Sequence, residues 1–328
     1  MKIDLEVLKN TRGIGAKTLQ NIIESQLEKK TLALREDIDN VQLENYEQVP
    51  LNTFITGDNL TTLLRFPSES IDLTVTSPPY GAMRGSYEEL TINFNNLVQQ
   101  LWRVTKEGGV VVWNVDNSTV SGSEQGEAFQ QALSFINNGW LLHDTMIFAK
   151  NTSTFPASHR GNRYTQIFEY MFVFSKGTPK TANLICDKAN KYAGTQSWGK
   201  KRFRDPKNQD KFQIHNEKVT VPEFSPRTNI WKYNVNGGFM TKDKFAHEHP
   251  AIFPEQMARD HILSWSNEGD VVLDIYSGSG TTAKMAKMHN RNYIGIDLEE
   301  KFNQIARQRL KTMNDLPTEP KGYDVNEL

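Results

Sequence analysis

The sequence is poor in cysteine and in long hydrophobic runs. Cys186 is the only cysteine in 328 residues, so an internal disulfide and a zinc site made of several cysteines are both excluded. No apolar stretch approaches membrane-spanning length, and the first ten residues, MKIDLEVLKN, lack the hydrophobic segment of a secretory signal. We therefore expect a soluble, cytoplasmic protein with one large domain or two ordinary ones.

Net charge is also nearly absent, at −1, but the charges are distributed unevenly along the chain. Residues 150–232 contain 16 Lys and Arg against six Asp and Glu, whereas the remainder contains 22 against 33. A basic segment attached to an acidic body predicts that a polyanion binds one face. Lys200, Arg202 and Arg204 are candidate contacts to phosphate or guanine, the alternative being a solvated, charge-rich surface.

A glycine turn between two short helical patterns lies near the N-terminus. Residues 4–25 place leucine and isoleucine on two apolar faces that flank Gly13 and Gly15. The pattern resembles the helix-hairpin-helix element, in which the turn offers backbone N–H groups to a DNA phosphate, here beside Arg12 and Lys17. An ordinary αα-hairpin would use the same glycines simply to turn, and the sequence leaves both interpretations open.

From Thr53 onward, short β-rich runs alternate with helical stretches, which predicts an α/β fold with parallel strands and crossover helices. The first predicted strand is FITGD, residues 54–58. Between Thr178 and Asn236 the periodicity fades, which predicts an irregular insertion that coincides with the basic segment. The expected divisions are an N-terminal helical appendage with a connector (1–50), a first half of the main domain (51–177), the insertion (178–240), a second half (241–312) and a loose tail (313–328).

A glycine loop follows the apolar strand pattern VVLDIY and precedes a helical pattern. Glycines let the backbone approach a ligand closely, and the start of a helix favours a negative group. A phosphate-binding P-loop is excluded because no Lys-Ser or Lys-Thr pair stands at the required spacing. The dinucleotide fingerprint G-x-G-x-x-G/A is formally met by Gly278, Gly280 and Ala283, with Asp297 near the expected distance.

S-Adenosylmethionine is a third ligand that fits this loop, because it carries a positive sulfonium, an amino acid end and an adenosine but no phosphate. Asp274 at the tip of the strand can engage its ammonium, and Asp297 can accept both ribose hydroxyls. The amino acid end can be held by the loop itself, which consists of Gly278, Ser279, Gly280 and Thr281. An acid at both strand ends suits a cationic cofactor better than a pyrophosphate.

The stretch IDLTVTSPPY, residues 71–80, runs from a buried strand pattern into a rigid corner. Two consecutive prolines fix φ and remove backbone donors, so strand pairing must end there. TSPPY (76–80) and HPAIFPEQM (249–257), with VVLDIYSGSGTT and YIGIDL, resemble the motifs of the DNA amino-methyltransferases. The catalytic motif precedes the cofactor motifs, as in the permuted β group, whose target-recognition region lies between them, where the basic insertion falls.

This resemblance, over residues 53–310, implies a Rossmann-like methyltransferase fold that depends on S-adenosylmethionine, with a mostly parallel sheet and helices on both faces. It also implies the reaction, which is methyl transfer to the exocyclic amine of a base flipped out of duplex DNA. The setting would be a prokaryotic or phage-type cell, with a cognate restriction enzyme as a potential partner. Ser-Pro-Pro-Tyr mostly accompanies cytosine N4 as the target, so we favour that atom over adenine N6.

The resemblance assigns the proline corner to the target base. Ser77 Oγ and the carbonyl of Pro78 would accept the two N–H groups of the amine, and Pro78 with Pro79 would keep these acceptors fixed. Tyr80 would stack on the face of the flipped base. Attack on cytosine C5 would need a cysteine nucleophile, and Cys186 lies in NLICDK, outside any Pro-Cys motif.

Three further positions match the family pattern at the cofactor. Asp58 is expected to reach the cofactor adenine, and Phe253 with Pro254 to pack against the cofactor, although a helix-capping aspartate and a core aromatic are the alternatives. Many family members have Asp-Pro-Phe where this chain has Asp274-Ile275-Tyr276.

Two alternatives to this function remain open. A non-catalytic DNA-binding protein that retains the fold is the alternative from another class, and methylation of RNA or of a protein amide is the alternative among enzymes.

Overall fold

The computed structural model describes residues 45–79, 87–153, 162–204 and 210–313. The predicted N-terminal hairpin with Arg12 and Lys17, the tyrosine of the proline corner, Tyr80, and the tail beyond residue 313 lie outside these ranges. For Lys200, Arg202 and Arg204 the structure describes the backbone alone. Within the described ranges, no helix combines the length and the apolar character that crossing a bilayer requires.

Strands and helices alternate through most of the chain. The strands are β1 (Thr53–Thr56), β2 (Ile71–Thr76), β3 (Thr105–Val115), β4 (Thr119–Val120), β5 (Ser123–Glu124), β6 (Leu141–Lys150), β7 (Phe168–Ser175), β8 (Lys188–Ala189), β9 (Gln196–Arg204), β10 (Asp210–Thr220), β11 (Phe224–Ser225), β12 (Ile230–Tyr233), β13 (Val271–Asp274) and β14 (Asn292–Asp297). The helices are α1 (Asn59–Leu64), α2 (Tyr87–Val104), α3 (Glu127–Asn137), α4 (Gly237–Met240), α5 (Glu255–Trp265), α6 (Thr281–Met288) and α7 (Glu300–Lys311), with a 3₁₀ helix at Lys244–Glu248.

The main sheet has eight strands in the order β1-β14-β13-β2-β3-β7-β6-β12. All neighbouring strands are parallel except at β7, which runs antiparallel to both β3 and β6. The predicted mostly parallel sheet is confirmed. Every residue of β2 and of β13 is buried, as expected for central parallel strands that are covered on both faces.

Helices cover both faces of this sheet, and β3 shows the division directly. Val110 and Val112 belong to one core cluster, which includes apolar side chains of α5, α6 and α7. Val111 and Trp113 belong to a second cluster, which includes side chains of α1, α2 and α3. Because successive strand residues point to opposite faces, the two clusters lie on opposite sides of the sheet. The predicted Rossmann-like arrangement is confirmed.

The insertion, residues 178–240, is more regular than the sequence predicts. It contains the antiparallel hairpin β9–β10, and its last strand, β12, joins the main sheet parallel to β6. The expectation of an irregular segment is therefore wrong for these strands. Its aromatic and β-branched residues are diluted among Lys, Arg, Gln and Asp, so no apolar period marks the strands. The first strand also ends earlier than predicted, at Thr56.

The parallel arrangement brings the ends of many strands to one place. The carboxyl ends of β1, β14, β13, β2, β3 and β6 meet at the same edge, together with the amino end of the antiparallel strand β7. We call this the carboxyl edge. Open α/β sheets bind their ligands at this edge, so side chains that follow these strands are candidates for a shared site.

Candidate active site

Both sequence motifs, the proline corner and the glycine loop, lie at the carboxyl edge. The corner begins at the end of β2, and the glycine loop follows β13, which pairs directly with β2. One hydrogen bond joins them, because the Thr76 hydroxyl donates to Asp274 Oδ1 at 2.7 Å. Ser77, the next residue, is partly buried, Pro78 is buried and Pro79 is exposed. The structure therefore brings together two motifs that are about 200 residues apart in sequence.

Asp274 is the most unusual acid of this edge, since only 1% of its surface is exposed. Its Oδ1 accepts hydrogen bonds from the Thr76 hydroxyl and from the backbone N–H of Tyr276, at 2.7 and 3.1 Å. Its Oδ2 is buried without a hydrogen-bond partner among the described residues. The Thr282 hydroxyl also lies near this carboxylate, but it donates to the Val75 carbonyl at 3.1 Å. Burial raises the pKa of Asp274 to about 6, against the opposing effect of the hydrogen bonds to the carboxylate. A buried acid with an unused oxygen is typical of a ligand site.

The glycine loop strongly favours glycine at two positions. Gly278 and Gly280 have φ values of +48° and +77°, which side chains rarely adopt. A Cβ at Gly280 would also lie 2.6 Å from the Cβ of Ala306, and one at Gly278 would lie 2.9 Å from Nε2 of His249. The loop is therefore tightly enclosed by α7 and by the segment that contains His249.

Asp297 supports the loop from the neighbouring strand. Its Oδ2 accepts the backbone N–H of Gly278 at 2.8 Å, and its Oδ1 accepts that of Glu299 at 2.9 Å. Each carboxylate oxygen has a further lone pair, so hydroxyl groups of a ligand can still bind there. The nearby Ser277 Oγ is buried and has no hydrogen-bond partner in the described part of the chain.

The side chains of Ser279 and Thr281 are directed toward Arg309. Both are nearly fully buried, and their hydroxyls accept hydrogen bonds from Arg309 at 2.9 and 3.2 Å. The expected contact of these two residues with a cofactor can therefore be made only by their backbone. The sequence pattern identifies the loop but not the direction of its side chains.

The remaining predicted cofactor residues lie around the same edge. Asp58 caps α1, and its Oδ1 accepts the backbone N–H of Thr61 at 2.8 Å. Phe253 is partly buried against a core cluster, and Pro254 is the residue that precedes α5. Within the chain, Asp58 therefore acts as a helix cap and Phe253 as a packed aromatic, as the alternative interpretations expect.

Three residues beside Ser77 are not predicted from the sequence. Glu169 on β7 accepts a hydrogen bond from Asn114 on β3 at 2.6 Å and pairs with Lys150 on β6 at 2.6 Å. The amide nitrogen of Asn114 also lies 3.5 Å from Ser77 Oγ. Because a carboxylate accepts hydrogen bonds, Glu169 fixes which end of the Asn114 amide faces it. The one signal in the sequence is a charged residue inside the otherwise apolar strand FEYMFVFS.

No group of three His, Cys, Asp or Glu side chains among the residues whose placement is described could hold a metal ion. Cys186 is exposed and lies in the insertion, away from the strand ends that carry the motifs.

Comparison with known proteins covers most of the chain. The family model described as DNA methylase matches residues 71–308. The orphan methyltransferase M.BamHII of Bacillus amyloliquefaciens is 50% identical over 261 residues, which is 79% of this chain and 96% of that protein. The type II methyltransferase M.SmaI of Serratia marcescens is 26% identical over 296 residues, covering 78% and 89%.

Two solved structures share the fold. The PvuII DNA methyltransferase, described as cytosine-N4-specific, has a TM-score of 0.60 at 18% identity and covers 82% of this chain and 92% of its own. The M1.HpyAVI–SAM complex has a TM-score of 0.50 at 20% identity, covering 79% and 98%. The range that the family model matches includes both the proline corner and the glycine loop.

Proposed function

We propose that this chain, which belongs to the DNA methylase family and acts on DNA as an amino-methyltransferase, methylates the N4 atom of cytosine at a specific DNA site. Methyl transfer at this edge is supported by the hydrogen bond from Thr76 to Asp274, and the choice of cytosine N4 by the serine of the proline corner. The hydrogen bond couples the corner that would hold the amine to the strand tip that would hold the methyl donor. A methyl group can pass only between ligands that are held side by side.

The residues at the glycine loop fit S-adenosylmethionine. The unused, buried Oδ2 of Asp274 suits the cofactor ammonium, and Gly278 and Gly280 place no side chain between the loop backbone and the cofactor's amino acid end. Asp297 keeps lone pairs for the ribose hydroxyls. Asp58 would face the cofactor adenine, and Phe253 with Pro254 would pack against the cofactor. When bound, this cofactor supplies an electrophilic methyl group on a positively charged sulfur.

The proline corner would prepare the amine. An exocyclic amino nitrogen shares its lone pair with the ring, so it is a poor nucleophile until its two N–H groups are held by fixed acceptors. Ser77 Oγ and the Pro78 carbonyl would be these acceptors, and Tyr80 would stack on the base. The contacts of Asn114 with Glu169 and its position 3.5 Å from Ser77 Oγ support a role in orienting that hydroxyl. A neutral hydroxyl is a weaker acceptor than a carboxylate, which favours the more polarised amine of cytosine.

The basic insertion would bind the duplex around the flipped base. Lys200, Arg202 and Arg204 occupy alternate positions of β9 in the antiparallel hairpin β9–β10. A two-stranded ribbon fits the major groove of B-DNA, where arginine recognises guanine and where basic side chains bind phosphate. We therefore assign recognition of the target sequence to residues 178–240, and the two halves of the catalytic domain to residues 51–177 and 241–312.

Mass spectrometry of nucleosides tests the assignment of base and atom together. DNA from cells that express the protein, in a host without its own DNA methylation, should contain N4-methylcytosine. Ser77→Ala should lower methyl transfer by about 100-fold or more, because it removes one fixed acceptor, while binding of S-adenosylmethionine stays unchanged. N6-methyladenine alone would correct the base. Absence of any methylated nucleoside, with DNA binding retained, would favour the non-catalytic alternative.

A further inference from the structure

A buried cluster of charged side chains lies behind the glycine loop. It consists of Asp243, Glu255, Lys284 and Arg309, whose side chains are between 0% and 7% exposed. The cluster combines two cations with two anions. Lys284 contacts both carboxylates at 2.8 Å, and Arg309 contacts them at 2.9 and 2.7 Å. Its charges are therefore paired, which buried ions require.

Arg309 connects this cluster to the loop. One of its terminal nitrogens donates to the backbone carbonyl of Ser279 at 2.7 Å and lies 2.9 Å from the hydroxyl of the same residue. The other terminal nitrogen donates to Glu255. Ser279 stands between the two glycines with positive φ, where the backbone has the least intrinsic preference for one conformation. The guanidinium therefore restrains the part of the loop that local sequence restrains least.

The same two cations also hold the segment that crosses the loop. We call residues 241–255 the strap. Asp243 anchors its beginning and Glu255 its end, both in the buried cluster. Between these anchors, His249 packs against the ring of Phe302 with centroids 4.3 Å apart, and its Nε2 faces Gly278. Arg309 thus contacts the glycine loop and also binds both ends of the strap that encloses the loop.

Stability alone does not account for such a cluster. Removing four charges from water is unfavourable, and well-packed apolar side chains of similar volume are often equally stable or more so. Arginine differs from an apolar residue in its planar fork, which can bind a carbonyl and a carboxylate at a fixed angle. The contacts of Arg309 use this property, because they join groups from α7, α5, the strap and the loop.

We propose that Arg309 is a positioning residue for the cofactor site, which holds the glycine loop and the strap in the arrangement that binds S-adenosylmethionine. The inference rests on the proposed function, since it requires the loop to be the cofactor site. Arg309 does not touch the reacting atoms. It acts on cofactor affinity through the backbone of Ser279 and through the two ends of the strap.

Arg309→Lys tests this role, because lysine keeps the charge but cannot bond to Ser279 and Glu255 in the same geometry. Arg291 provides the matched control. It is also buried, and it binds the backbone carbonyls of Ser266 and His289 at 2.6 Å, beside the amino end of β14 and hence across the sheet from the carboxyl edge. Arg291→Lys should therefore lower stability without reaching the cofactor site.

Calorimetric titration of each protein with S-adenosylmethionine, without DNA, gives the affinity, and urea unfolding gives the stability. Arg309→Lys should raise the Kd for the cofactor by about tenfold or more, with Kd for duplex DNA unchanged. The KM for cofactor should rise likewise, with kcat at saturating cofactor retained. Arg291→Lys should leave the cofactor Kd within about twofold. Ser279→Ala removes only one acceptor of Arg309 and should raise the Kd for the cofactor by about two- to threefold. This variant takes the place of Arg309→Lys if Arg309→Lys does not fold.

Unchanged cofactor affinity in Arg309→Lys and Ser279→Ala would overturn the inference and leave the proposed function intact. Equal weakening by Arg291→Lys would overturn it as well, because the effect would then follow from general destabilisation. A wild-type protein that fails to bind S-adenosylmethionine would overturn the proposed function and this inference with it.

Discussion

Asp274→Asn should change how the stability of the cofactor-free protein depends on pH. The carboxyl is 1% exposed, and burial raises its pKa from the ordinary 3.8 to about 6. A carboxyl whose pKa is higher in the folded state stabilises the fold while it is protonated. That contribution is complete below pH 3.8 and is lost as the pH rises through 6. Asparagine cannot ionise, so the variant lacks this dependence.

The size of the effect follows from the two pKa values. A difference of about 2 pH units corresponds to about 3 kcal/mol between the fully protonated and the fully ionised limits. Between pH 5 and pH 8 the wild type should lose about 1.4 kcal/mol of unfolding free energy relative to Asp274→Asn. Any constant effect of the new amide, including its own unpaired N–H groups, cancels in this comparison across pH.

Urea unfolding of both proteins at pH 5, 6.5 and 8, without cofactor, measures this difference. Asp243→Asn is the control, because burial would raise the pKa of Asp243 but hydrogen bonds from Lys284 and Arg309 hold it below 3.8. The contribution of Asp243 is present above pH 3.8 and is lost only at lower pH. Its difference from the wild type should therefore be constant from pH 5 to pH 8, although the variant is less stable.

Cofactor binding should show the opposite trend. If the ammonium pairs with ionised Asp274, the affinity of the wild type should fall about tenfold from pH 8 to pH 5, where about one carboxyl in ten is ionised. Asp274→Asn should bind weakly at every pH. A stability difference that does not change between pH 5 and pH 8 would refute the reasoning, since it would mean that Asp274 titrates as an ordinary surface acid.

Two further predictions concern the loop and the insertion. Gly280→Ala should destabilise the protein by roughly 2–4 kcal/mol in urea unfolding, because of its φ of +77° and the contact of its new Cβ with Ala306 at 2.6 Å. Gly269 is the control, since it has a φ of +84° but open space around the Cβ, and Gly269→Ala should show only the backbone effect of about 1–2 kcal/mol. Equal losses in the two variants would exclude a contribution from the steric contact. Joint replacement of Lys200, Arg202 and Arg204 by alanine should reduce the slope of log K for duplex DNA against log salt by about 2–3, and an unchanged slope would show that this strand does not bind phosphate.

The proline corner and the glycine loop are recognisable in the amino-acid sequence because their chemistry is local. Pro78 and Pro79 lack the N–H groups that continued strand pairing needs, and Gly278 and Gly280 allow backbone conformations that other residues avoid. The buried strand patterns that precede them predict parallel pairing, and the structure has β2 beside β13. The pattern does not say which strands pair, so the side-by-side placement of the two motifs is decided by the tertiary structure.

The insertion shows where sequence patterns fail. Its hairpin β9–β10 and the strand β12 do not alternate cleanly between apolar and polar residues. The hydrogen bonds of the hairpin join backbone groups, whose pairing leaves no mark on the side-chain pattern unless one face is buried. In β12 one face is buried, at Trp231 and Tyr233, but a strand of four residues is too short to show a period. The pairing of β12 with β6, and the burial of Trp231 and Tyr233 in the core cluster, identify it as part of the main sheet.

Local sequence thus determined which segments end strands, which turns need glycine, and that strands alternate with helices on either side of a basic segment. Tertiary structure alone decided that Ser279 and Thr281 turn their hydroxyls toward Arg309, that Glu169 joins Asn114 to Lys150 beside Ser77, and that Asp274 keeps one buried oxygen without a partner among the described residues. The physical reason is the distance along the chain over which each effect acts. Proline and glycine act through their own dihedral angles, whereas a buried charge acquires its partner, and its altered pKa, only when distant strands and helices pack around it.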